Sequence, residues 1–262
     1  MPDARRADLD AALDRLDLVF TDPPPLPEPV RGCGYCWRDG ELAALGLPPG
    51  KVPEEILRQF VDEVVDHLDF DDQYPILWRR LAPRILRRIA AGEHRWSTRY
   101  GIKLGEYGAK LSTWPAPERE AVVDVLHALL AEHAGRYPHG GFSDVLDGLI
   151  NASGEAASWL DRLDQVAGIE SELIMFGLDF ADQKLWGHGS NGPAAFSAPE
   201  EELVAEWLVG AGFGRRLEGH LAAYPDCVNA RFAAAAVAEL RAPEEAVEGV
   251  RWYAVEYCCV HV

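Results

Sequence analysis

Positive charge is scarce in this sequence relative to negative. Only four of its 25 bases are lysine (Lys51, Lys103, Lys110 and Lys184), and 43 acidic residues outnumber them all, for a formal net charge of −18. A deficit on this scale argues against binding nucleic acid, where cations neutralise backbone phosphates and release counterions. It equally disfavours an anionic membrane surface. Long apolar runs are missing too: mean hydropathy is −0.13, and no window approaches the ~18 consecutive apolar residues of a membrane span. The opening Met1-Pro2-Asp3-Ala4-Arg5-Arg6-Ala7-Asp8 is charged and lacks the apolar core of a secretion signal, so a cytoplasmic protein is expected. Among catalytic signatures, Gly-x-Ser-x-Gly and His-Glu-x-x-His are both absent. Gly187-His188-Gly189-Ser190-Asn191-Gly192 lacks the lysine of a phosphate-binding loop and reads as a connector.

What is present is helical periodicity. Leu9, Leu13, Leu16 and Phe20 recur at three- or four-residue intervals over 7–20. Five prolines between Pro23 and Pro29 then make an extended spacer. The spacing predicts a helix over Glu54–Leu68, opened by Pro53 and the acids Glu54 and Glu55. Asp72 is a candidate N-cap for the next helix, whose stripe is Tyr74, Leu77, Leu81, Ile85 and Ile89, with Pro83 as a kink. Trp96–Leu111 reads as a helix weakened by Gly101, Gly105 and Gly108. Further runs start at Glu118, Phe142, Ala157, 169, Pro199, Phe213 and Cys227, and Glu244–Tyr257 fits a helix or a strand equally. The expected fold is all-α: antiparallel helix pairs in one domain over 32–262, preceded by the helix and proline linker of 1–31. The eight tryptophans fall mainly on apolar faces and read as core anchors.

Cysteine carries the sharpest local signal. Cys33-Gly34-Tyr35-Cys36 places two thiols two residues apart in a turn that Gly32 and Gly34 loosen, the spacing of a zinc half-site. The expected remaining ligands lie in Cys258-Cys259-Val260-His261; Cys227 and His94 are the next choice. Four protein ligands make such a zinc structural, because no position is left for water or substrate. Redox use of the pair has less support, since no βαβ pattern surrounds it. Five cysteines in a chain of this kind read as thiols or metal ligands rather than a disulfide frame. The acidic Asp66–Asp72 segment does not fit the calcium-loop pattern and reads as a helix end followed by a cap. His127 and His133, six apart, fall on different faces of one helix.

Two resemblances accompany these readings. Leu77-Trp78-Arg79-Arg80-Leu81-Ala82-Pro83-Arg84-Ile85-Leu86 resembles the proline-kinked first helix of a HEAT repeat, which implies helical pairing. The order Cys33-x-x-Cys36, Glu41-Leu42, Asp69–Asp72, Leu81-Ala82-Pro83-Arg84, then Lys110 before Trp114-Pro115 and Glu118 resembles a family of uncharacterised bacterial helical proteins, over roughly residues 33–133. That resemblance implies no reaction and assigns no catalytic residue. The functional expectation is therefore a non-catalytic interaction or scaffold protein, with a helix-pair surface for a protein partner of basic character and no nucleic-acid or membrane ligand. The alternative is a metal- or carboxylate-dependent enzyme with its site in a helical cleft.

Overall fold

The apolar spacing governs which helix faces turn inward in the computed structural model. It describes residues 2–26, 29–63, 68, 70–93, 96–106, 108–133, 141–186 and 198–241. Twelve α-helices occur among them: α1 (Pro2–Val19), α2 (Asp39–Leu45), α3 (Glu54–Asp62), α4 (Phe70–Ala90), α5 (Thr98–Leu104), α6 (Ala116–His133), α7 (Gly141–Ser153), α8 (Ala156–Leu163), α9 (Glu170–Trp186), α10 (Ala198–Val209), α11 (Ala211–Ala223) and α12 (Val228–Arg241). The fold is all-helical. Among the described residues no strand forms, only an isolated antiparallel bridge between Gly32 and Leu68. No helix among them is long and apolar enough to cross a membrane.

The chain divides into two compact units, Met1–Glu132 with Asn151–Gly154, and His133–Ile150 with Glu155–Val262. In the first unit α1 packs on α4 and buries Leu9, Leu13 and Leu16. The helix α4 is the axis of this unit. Its buried stripe (Tyr74, Leu77, Trp78, Leu81, Ile85, Ile89) follows the helical repeat, and Phe60 of α3 packs on Tyr74 and Trp78 with ring centroids 5.7 and 5.5 Å away. The helix begins at Phe70, two residues ahead of the expected cap, so Asp71 and Asp72 sit in its positively polarised first turn. It runs continuously through Pro75 and Pro83.

The outer face of α4 is a row of arginines that clamp the loops around it. Arg80 donates to the carbonyls of Pro24 and Leu47, which fixes the proline segment in place. Arg84 donates to the carbonyls of Pro49 and Val52 and pairs with Glu54. Arg79 forks onto Glu118 of α6, Arg87 meets Asp14 and Asp17 of α1, and Arg88 joins Glu54 and Glu93. Planar guanidinium groups suit such forked contacts.

Two elements end earlier than their periodicity indicates, for a common reason. The expected helix 54–68 stops at Asp62, with Glu63 extended. Its last carbonyls are claimed from α5: Lys103 donates to Val61 and Arg99 to Asp62, while the Tyr100 hydroxyl reaches Asp62 Oδ1 over 3.2 Å. In turn α5 stops at Leu104, and the chain folds back so that Ala109 N–H donates to the Lys103 carbonyl over 2.7 Å. A Cβ on Gly108 would lie 2.0 Å from that carbonyl oxygen, so only glycine permits the approach.

In the second unit α9 lies along α12, and α10 packs with α8, α11 and α12. Gly177 lets the Leu208 and Phe213 side chains approach α9; a Cβ there would meet them at 3.3 and 3.2 Å. Arg216 closes the end of α8 by donating to the carbonyls of Leu163 and Val166 and to Glu170.

Candidate functional site

The Cys33–Cys36 pair sits on a turn fixed from four sides. The Cys36 and Trp37 N–H groups both return to the Cys33 carbonyl, over 3.1 and 2.9 Å. Gln59 of α3 donates to the Cys36 carbonyl over 3.0 Å. Gln73 of α4, itself buried, accepts from Arg31 N–H over 3.0 Å and donates to the Pro29 carbonyl over 2.9 Å. The Gly32–Leu68 bridge holds the strand-like entry, and Val30 and Trp37 on either side are buried. The turn thus has apolar anchors at both ends while its tip faces outward: Tyr35 is 97% exposed, and both thiols are half-buried and free of any disulfide.

The environment distinguishes the two sulfurs. Backbone N–H groups of Cys36 and Tyr35 point at Cys33 and draw its thiol below the ordinary cysteine value. Cys36 is pushed up, first by burial and then by the Cys33 sulfur, to which its S–H donates. The Glu63 carboxylate lies near enough to work against ionisation of both. Hydrogen bonds to a charged form favour that form, so Cys33 is the more readily ionised sulfur of the pair.

Among the described residues, the structure brings together Cys33 and Cys36 of the expected zinc ligands. Cys258, Cys259, His261 and the reserve ligand His94 lie outside the described residues, as do the 187–192 loop and the 244–257 element. No group of three or more metal-ligating side chains occurs among the described residues. Cys227 is buried beside the start of α12 and is bound in a disulfide, against the expectation of thiols or metal ligands. In the acidic 66–72 segment, Asp66, His67 and Asp69 lie outside the described residues, and Asp71 and Asp72 belong to α4.

Two further titratable centres escape a reading by periodicity. Lys103 is buried under α3, and burial, assisted by the Arg99 charge, lowers it to about 8. Its contact with the Val61 carbonyl makes it a helix cap. In the second unit, Asp147 of α7 is pushed up to about 7 by burial and then by the Asp144 and Asp179 carboxylates, and Ser143 Oγ donates to Asp179 over 2.6 Å. Neither centre carries a spacing signature; each depends on which helix lands beside it. The glycine spacing 101/105/108 is the one sequence signal near Lys103, and it marks a close backbone approach. No protein-family model matches this chain, and no curated protein and no solved structure matches it either.

Proposed function

We propose that the protein is a non-catalytic helical interaction protein whose acidic surface engages a basic protein partner. The observation that supports this reading is the direction in which the bases point. Arg80, Arg84, Arg99, Lys103, Arg216 and Arg241 all donate to backbone carbonyls of their own unit. Arg79, Arg87 and Arg88 pair with acids across helices. The net charge of −18 already counts these cations, and with them held against their own unit the outward field is negative, carried by acids among which Glu55, Asp62, Glu106, Glu120, Glu202, Glu206 and Glu218 are exposed. A field of one sign steers an oppositely charged partner and discriminates against polyanions.

Recovery of the tagged protein with its bound partners from its own cells tests the reading. At about 0.15 M salt a stoichiometric partner of net positive charge is expected, released as salt rises toward about 1 M, where screening falls to within a few ångströms. An acidic partner, or one retained unchanged at high salt, contradicts it.

A further inference from the structure

The thiol pair has a use that needs neither a partner surface nor ligands from elsewhere in the chain. We propose that Cys33 and Cys36 form a thiol–disulfide exchange site, with Cys33 as the attacking sulfur and Cys36 as the resolving one, acting on an exposed disulfide. Three features of the geometry carry this. The pair lies at the outward tip of a turn, half-buried, beside a side chain (Tyr35) that is 97% exposed, so a substrate disulfide can reach it. The Cys36 N–H donates to the Cys33 carbonyl over 3.1 Å, closing a turn that brings the two residues close together before any reaction. The backbone beneath them is clamped by Gln59, Gln73 and the Gly32–Leu68 bridge, which holds both cysteines on one fixed turn. The N–H groups of Tyr35 and Cys36 aimed at Cys33 assign the attacking role, since the thiolate is the nucleophile.

The steps balance without a further reactant. The Cys33 thiolate attacks one sulfur of the substrate R–S–S–R′; a Cys33–S–S–R bond forms, and R′–S⁻ leaves. Cys36 gives up its proton to the departing thiolate or to water and attacks the Cys33 sulfur; the Cys33–Cys36 bond forms, and R–S⁻ leaves. Two protein thiols have become one disulfide, and two electrons have reduced the substrate disulfide to two thiols.

The full chain, with Cys33 and Cys36 reduced, is mixed with oxidised glutathione as a small disulfide and, separately, with insulin as a protein disulfide. Acid quenching, alkylation and peptide mass spectrometry then follow the fate of both sulfurs. The wild type is expected to form the Cys33–Cys36 disulfide with release of thiol. Cys36→Ser should accumulate a mixed disulfide at Cys33, and Cys33→Ser should form one at Cys36 at least about tenfold more slowly, following its smaller thiolate fraction. Reaction with either substrate supports the site, and the comparison identifies its source. Circular dichroism of both variants verifies that the helices persist. Equal rates in the two variants, or a wild type whose thiols stay reduced, would overturn the proposal. So would one equivalent of zinc on the wild type, lost in Cys33→Ser and blocking exchange until chelated, which would assign the pair to a metal.

Discussion

The side-chain amide of Gln59 on α3 donates to the Cys36 carbonyl over 3.0 Å, joining a helix to the thiol-bearing turn 23 residues before it. Gln73 does the same from α4, satisfying the Arg31 N–H and the Pro29 carbonyl together. Replacing either by leucine removes hydrogen bonds to backbone groups at a part-buried site. The expected loss is about 1 kcal/mol for Gln59→Leu and about 2 kcal/mol for Gln73→Leu, whose amide serves two groups and is buried. Denaturant midpoints at unchanged slope measure this. A midpoint unmoved in Gln73→Leu would mean that Gln73 is not needed to hold the turn.

Gly108→Ala is expected to cost about 2–3 kcal/mol. Its Cβ would fall 2.0 Å from the Lys103 carbonyl oxygen, which is backbone and cannot rotate aside. Gly50→Ala, where nothing lies within 4 Å, serves as the control and is expected to be nearly neutral. Thermal melts of the pair decide whether the close approach is required.

Asp147 gives stability a pH dependence of definite sign. Its carboxyl is raised from 3.8 to about 7 in the folded protein, so between these values the native state holds a proton that the unfolded chain has released. Stability therefore falls as pH rises through that window, and the cost is complete above about 7. Asp147→Asn, which stays neutral, should match the wild type near pH 4 and exceed it at pH 8. Unfolding midpoints of both proteins across this range check it; parallel profiles would contradict the assignment.

Much of the fold is legible from residue spacing, and the exceptions have physical causes. The stripe Tyr74, Leu77, Leu81, Ile85 and Ile89 identifies α4 because burial of one face imposes the helical repeat. The end of α3 is not legible: Val64, Val65 and Leu68 continue the apolar spacing of Ile56 and Phe60, but Lys103 and Arg99 take the terminal carbonyls and Leu68 turns to bridge Gly32. The glycines at 101, 105 and 108 read locally as helix weakeners, whereas Gly108 answers to a contact five residues away. At the candidate site the Cys-x-x-Cys spacing marks the two sulfurs. Their asymmetry comes from which backbone N–H groups the folded turn aims at Cys33, and the Gln59 and Gln73 clamps join residues 23 to 44 positions apart. Periodicity holds no record of either.

The charge balance bears on nucleic acid directly. With 43 acids against 25 bases, and arginines turned toward carbonyls, no mobility shift of duplex DNA is expected at about 0.15 M salt. A shift that weakens with added salt would reveal a basic surface and contradict this.

The interaction reading stands most directly on association kinetics. Once a partner is in hand, its association rate with the full chain is to be measured from about 0.05 to about 0.5 M salt, a range over which screening shortens from beyond to below a helix diameter. Steering by the acidic surface predicts an association rate that falls steeply with salt while dissociation changes little. An association rate independent of salt would contradict the account.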